Sequence, residues 1–164
     1  MNKNKIIVSW LLVFIWMGII FYFSNMNTLE SNNKSKKIID KVVTTTIDTT
    51  NNTNITTKEK QNLINILNKP LRKCAHACVY LILSLLILHS LLLSFKNLNN
   101  KHNLAIIITI IICFIYSLSD EYHQTFIYGR TGQFSDCIID TIGSSIGAFI
   151  FNIYKKKKKE RNKK

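Results

Sequence analysis

This chain is poor in acid. It has 164 residues, of which nine are aspartate or glutamate against 22 lysines and arginines, and its formal net charge is +13. Arginine is scarcer still, with three: Arg72, Arg130 and Arg161. The shortage is uneven in a useful way. Four of the nine acids, Asp120, Glu121, Asp136 and Asp140, fall within residues 119–140, and Arg130 lies among them. Elsewhere charge disappears altogether: residues 6–23, IIVSWLLVFIWMGIIFYF, are 18 residues without one.

Other absences narrow the function classes. The four cysteines, Cys74, Cys78, Cys113 and Cys137, form no C-x-x-C pair. They read as small apolar side chains rather than disulfide or metal ligands. Neither a nucleophile motif nor a complete metal signature is read from the chain, so no cofactor and no metal are expected. The lysines come without an aromatic stacking platform, which argues against nucleic acid as a partner. No A-x-A-like site follows the first apolar run, and the run is longer than a signal core, so it is expected to stay as a first helix. There is no internal repeat.

What is present is apolar sequence in four blocks, 6–23, 74–95, 104–118 and 137–154. A membrane-spanning helix needs roughly 20 mostly apolar residues. The third block reaches that length by extending through Ser119. The pattern predicts an all-α, polytopic membrane protein with four transmembrane helices. Lys3 and Lys5, then Lys96 and Lys101, then the tail 155–164, KKKKKERNKK, fall on one side of such a bundle. That places both termini in the cytoplasm, and the tail within reach of anionic lipid head groups. The expected division is a membrane domain over 1–154 and a basic cytoplasmic tail over 155–164. The loop 24–72 is then extracytoplasmic, although it carries many lysines of its own. Within it, 44–57 (TTTIDTTNNTNITT) reads as a flexible link. Residues 58–69 put Leu63, Ile66 and Leu67 on one helical face. They predict a short amphipathic helix on the membrane surface, ended by Pro70, and 34–43 predicts a similar one.

Charge beside a bilayer is costly and marks candidate functional residues. At the mouth of the second span Arg72, His76 and Tyr80 are spaced i, i+4, i+8, with Lys73 beside them, so they line one stripe of a helix. After the third span Asp120, Glu121 and Gln124 share one helical turn. Two carboxylates this close raise each other's proton affinity, as general acids and bases require. Gly129 allows a turn, and Arg130 brings a guanidinium suited to bidentate recognition of carboxylate or phosphate. Asp136 opens the fourth span. Asp140, Gly143 and Gly147 continue one face, where small residues admit another helix backbone. Each of these has a plain structural reading too. The arginine and lysine can snorkel, the histidine can pack, and the acids can cap helices or lock them together.

The ordered set resembles the VanZ-like family of small bacterial membrane proteins. The resemblance rests on R-K-x-x-H-x-x-x-Y at Arg72–Tyr80, D-E-x-x-Q-x-F at Asp120–Phe126 and Gly129-Arg130. It also rests on D-x-x-x-D-x-x-G-x-x-x-G at Asp136–Gly147 and on Phe23-Ser24. Departures are Ala77 where the family has an aromatic, Val79 where it has an acid, Tyr128 where it has proline, and Asn25 where it has glutamine. The resemblance implies an association with resistance to teicoplanin, a glycopeptide that binds a cell-wall precursor. It does not imply a reaction. The function expected is therefore that of a multi-pass protein of the bacterial cell membrane. It would bind a charged envelope ligand, a cell-wall precursor or a glycopeptide, through Arg72, Lys73, His76, Tyr80, Asp120, Glu121, Gln124, Arg130, Asp136 and Asp140. Membrane lipids are its expected surroundings. Two alternatives stand beside this reading. One is an enzyme acting on a lipid-linked phosphate or peptide, with His76 as acid/base and Asp120 or Glu121 as its partner. The other is a small transporter using Asp140.

Overall fold

A long run of aliphatic side chains in lipid leaves the backbone no bonding partner but itself, and each such run here is helical. The computed structural model describes residues 3–26, 28–50, 56–95, 97–98 and 101–161. Its helices are α1 (Lys3–Ser24), α2 (Thr28–Thr50), α3 (Thr57–Ser94), α4 (His102–Gln124) and α5 (Phe134–Arg161). No strand occurs among the described residues. Four helices, α1, α3, α4 and α5, are long and apolar enough to cross a membrane. The third apolar block does extend through Ser119, and α4 continues to Gln124.

α3 is the centre of the bundle. It packs along α5 and also carries α1 and α2, while α4 lies mainly on α5. The core holds Val13, Ile20, Tyr80, Leu83, Ile87 and Cys113, with a second cluster of Leu88, Leu92, Ala105 and Ala148. Polar side chains tie helix to helix where no water competes. Trp10 donates to Ser94 Oγ at 2.9 Å and Trp16 to the Val79 carbonyl at 2.9 Å. Tyr116 donates to the Met17 carbonyl at 2.7 Å. Gly143 and Gly147 let α5 approach α3 closely: a Cβ on Gly143 would strike the Ala77 backbone, and one on Gly147 the Leu81 carbonyl and Ser84. The outward faces are aliphatic rows, such as Ile107, Ile111 and Ile115 on α4 and Ile138, Ile142 and Ile146 on α5. In water such continuous rows are a liability; against lipid chains they are at no disadvantage.

The region after α1 differs from its sequence reading. α3 has 38 residues, or about 57 Å at 1.5 Å per residue, nearly twice a hydrocarbon core of about 30 Å. The surface helix expected to end at Pro70 is instead the first part of α3, with Pro70 inside it. Proline costs one backbone hydrogen bond there, but the segment is held on both sides of it. Thr56 and Glu59 form a capping box at its start, and α2 packs alongside. α2 includes the 34–43 helix and continues through 44–50, part of the stretch read as a flexible link; residues 51–55 of that stretch lie outside the described residues. Thr44, Thr45 and Thr49 each donate to the carbonyl four residues earlier, so these hydroxyls satisfy themselves within the helix. Ile39 and Val43 of α2 bury against Ile64 of α3. Lys60 adds an ion pair to Asp40 at 2.7 Å and a hydrogen bond to Thr44. The residues read as the apolar face, Leu63, Ile66 and Leu67, point outward.

Candidate functional site

The bundle end opposite the start of α1 and the end of α5 gathers the polar residues. Four segments meet there: the end of α1, the point where α3 leaves the bundle, the end of α4, and the turn 125–133 leading into α5. Gly129 makes that turn possible with φ 76°, a conformation that costs other L residues roughly 1–2 kcal/mol. Gly132 brings the turn back onto α4, since a Cβ there would strike the Glu121 carbonyl. The Gln133 amide donates to Glu121 Oε2 at 2.8 Å. Glu121 is thereby a brace for the turn that carries Arg130.

The acids lie inside. Asp120 is 3% exposed, Glu121 5%, Gln124 5% and Asp140 0%. Gln124 donates to Asp120 Oδ2 at 3.2 Å and to Glu121 Oε1 at 3.3 Å. Ser117 donates to Asp140 Oδ2 at 2.6 Å. The other Asp140 oxygen stands 3.8 Å from His76 Nδ1, beyond a hydrogen bond and within ion-pair range if the imidazole is protonated. Asp136 pairs with Lys73 at 3.4 Å. Lys73 with Asp136 and His76 with Asp140 thus bring α3 and α5 together across the helices.

The two arginines behave otherwise. Among the described residues neither Arg72 nor Arg130 forms an ion pair. Arg72 donates to Asn32 Oδ1 of α2 at 3.1 Å. Arg130 reaches the Phe23 carbonyl at 3.4 Å, while its Nε and Nη1 are buried without a hydrogen-bond partner. Burial holds the Arg130 guanidinium below its ordinary pKa, and Arg72 pushes the same way, opposed by Asp120 and Glu121. Both arginines line one cavity.

That cavity has a volume of about 150 Å³ and is lined by Arg72, Lys73, His76, Gln124, Arg130 and Asp136, among others. Asp120, Glu121 and Asp140 lie in the protein behind it. Tyr80, at the foot of the helical stripe, is fully buried beside Tyr116 and does not line the cavity. Among the described residues no group of histidine, cysteine, aspartate and glutamate is placed to hold a metal ion. All four cysteines are free, Cys74 and Cys78 exposed and Cys113 and Cys137 buried.

One sequence reading needs correction. Residues 143–147, GSSIG, do fit the spacing G-x-S-x-G. The nucleophile elbow needs a sharp strand-to-helix turn that exposes its serine. Here the five residues lie inside α5, and Ser145 donates to the Thr141 carbonyl at 2.8 Å, so the match has no elbow geometry.

Sequence reasoning missed Ser117, Lys69, Asn32 and Asn68. Ser117 sits in an apolar run with nothing local to mark it. Asn32 and Asn68 join α2 to α3, with Asn68 donating to Asn32 at 3.2 Å and Ser35 bonding to Asn68. Their signal is a pairing between segments about 36 residues apart, which a local pattern does not carry. Lys69 lines the cavity one turn before Lys73, and its i, i+4 spacing was readable.

Comparison with known families gives a match. The VanZ/LLP1 family matches residues 9–155, nearly the whole bundle, and the chain belongs to that family. No curated protein and no solved structure matches it.

Proposed function

We propose that this membrane protein of the VanZ/LLP1 family binds, without cleaving it, an anionic group of a cell-envelope ligand between Arg72 and Arg130. We further propose that it thereby contributes to glycopeptide resistance of the teicoplanin type. The observation that carries the reading is the pair of arginines. A bundle that only needed to lock its helices would pair them with the four acids nearby. Instead Lys73 takes Asp136, Asp120, Glu121 and Asp140 accept from Gln124, Ser117 and a backbone amide, and both arginines line the cavity without an ion pair. Repulsion between like charges is relieved when an anion sits between them, and arginine presents the fork that carboxylate and phosphate accept. A cavity of about 150 Å³ takes such a head group and is too small to enclose a glycopeptide. The reading is thus of a cell-wall precursor or lipid head group that the antibiotic also concerns. The lysine-rich tail supports cytoplasmic termini, and with that orientation the cavity lies on the outer face, where glycopeptides act.

A second reading has its own observation. His76 lines the cavity and has an Asp140 oxygen 3.8 Å from its Nδ1, within ion-pair range of a protonated imidazole, which a closer approach on substrate binding would turn into the hydrogen bond of an acid/base to its partner. The two readings separate on substitution. In a susceptible host, expression of the wild-type protein raises the teicoplanin concentration needed to stop growth more than the vancomycin concentration. Arg130→Gln removes that rise under the binding reading, while His76→Gln leaves most of it. Loss of the effect with His76→Gln at unchanged expression moves the assignment to an enzyme. No shift in either antibiotic with the wild-type protein removes the resistance reading.

A further inference from the structure

Arg72, His76 and Arg130 do not belong to the polar cavity alone. The same three side chains also line a second, larger hollow of about 420 Å³. This one is apolar: Ile20 and Phe23 of α1, Ile38 of α2, and Leu71, Ala75 and Val79 of α3 form its walls. The two hollows thus share part of their lining. Their relation to the bundle is directional. Arg72 stands where α3 leaves the bundle, beside the end of α1, and Val79 lies seven residues further along α3, about 10 Å deeper at 1.5 Å per residue. The apolar hollow therefore runs from the polar end of the bundle towards the apolar middle of α3. Its third wall, α2, is held in place by Arg72 itself through Asn32. Lys34 also lines the hollow, beside Met26, and adds a further positive charge.

Building on the arginine site above, we infer that its ligand is a lipid whose polar end is a phosphate. The phosphate sits between Arg72 and Arg130, and its hydrocarbon chain lies in the hollow between α1, α2 and α3. A charged head with an apolar chain matches both halves at once. A free phosphate or a soluble peptide carboxylate would use only one. The chain contributes through burial of apolar surface, at about 0.8 kcal/mol per methylene fully buried, and the head through charge-assisted hydrogen bonds.

The test uses the full-length protein in dodecyl maltoside micelles and three soluble probes, with affinities measured by calorimetry. The probes are inorganic phosphate, dihexanoylphosphatidic acid and dihexanoylphosphatidylcholine. Phosphatidic acid is expected to bind at least about tenfold more tightly than inorganic phosphate, because its chains add buried apolar area. It should also bind at least about tenfold more tightly than the choline lipid, whose phosphate is neutralised and screened. Arg130→Gln weakens phosphatidic acid and phosphate alike. Ala75→Phe, which fills the hollow from an exposed position on α3, brings phosphatidic acid down to the level of phosphate and leaves phosphate unchanged. Ile38→Phe on the opposite wall repeats this result from a second helix. If phosphate and phosphatidic acid bind equally and neither filling variant matters, the lipid inference fails while the arginine site stands. If phosphatidic acid binds but is indifferent to Arg130→Gln, the hollow is a non-selective lipid contact and the inference also fails. If no probe binds, both readings fall.

Discussion

Gly143→Ala is a small change that tests the packing on which the site depends. A methyl added at Gly143 would lie 2.8 Å from both the carbonyl carbon and the Cα of Ala77 on α3. Carbon atoms in contact prefer about 3.5–4.0 Å, and backbone cannot rotate away as a side chain tip can. The helices must therefore part by on the order of 1 Å, which costs about 1–3 kcal/mol in lost packing. Against this, alanine gains up to about 1 kcal/mol over glycine in helix propensity. The net expectation is a loss of about 1–2 kcal/mol. Gly18 in α1 supplies the control, since nothing lies within 4 Å of a Cβ built there. Gly18→Ala should be neutral or gain up to about 1 kcal/mol. Both are measured by unfolding in mixed micelles with increasing dodecyl sulfate, followed by circular dichroism. A second readout comes from the site. Parting α3 from α5 pulls Lys73 from Asp136 and His76 from Asp140, so phosphate affinity falls in Gly143→Ala and not in Gly18→Ala. Equal stability of the two variants, or a larger loss at Gly18, would refute the close α3–α5 crossing.

Three further outcomes follow from named contacts. Ser117→Ala leaves a buried Asp140 oxygen without its donor and should destabilise the bundle by about 1–3 kcal/mol; the same unfolding assay with Ser117→Ala in an Asp140→Asn background should show a smaller loss. Arg130→Lys keeps the charge but loses the fork, so phosphate affinity should drop about tenfold where a purely electrostatic site would hardly change. Ile64→Ala removes the side chain that Ile39 and Val43 pack against and should loosen the α2–α3 hairpin by about 2 kcal/mol. The measurement is faster trypsin cleavage at Lys58 and Lys60 with no change in the unfolding of the membrane bundle.

The spans were legible because the bilayer imposes a single demand on each. Uninterrupted apolar length is a local property, and residues 6–23 display it without any knowledge of the rest. The close crossing of α3 and α5 was legible for a similar reason, since Gly143 and Gly147 share a face at spacing i, i+4. Most of the cavity lining was found because acids and arginines are rare in this chain and their placement stands out. The hairpin was not legible. Its helices have few apolar residues each, and only Ile39, Val43 and Ile64 packing together fixes them, so the deciding contact lies between distant segments. Pro70 misled for the same reason: a proline ends a helix that stands alone, and this one is held from both sides. Ser117 was hidden by its context, because a serine in an apolar run becomes informative only once Asp140 is seen opposite.

The division of labour among the charges follows from which of them can be satisfied locally. A carboxylate is an acceptor, and a helix end supplies donors within reach: the Gln124 amide, the Ser117 hydroxyl and the Gln133 backbone N–H. Each of the three buried acids, Asp120, Glu121 and Asp140, therefore has at least one donor that is not a cation, although one oxygen each of Asp120 and Asp140 is left without a hydrogen-bond partner. A guanidinium has five donors in a fixed fork, and the carbonyls near a helix end satisfy only some of them. Arg130 finds one, from Phe23, at the long distance of 3.4 Å. Burying it in that state is costly, and the turn that holds it is itself braced by Glu121 and shaped by Gly129 and Gly132. Structure has been committed to keeping this arginine where it is poorly satisfied. Helix locking gives no reason for that arrangement, because Lys73 with Asp136 already provides the lock. An anion arriving from outside does give a reason, and the apolar hollow that begins at the same guanidinium says what such an anion should be attached to.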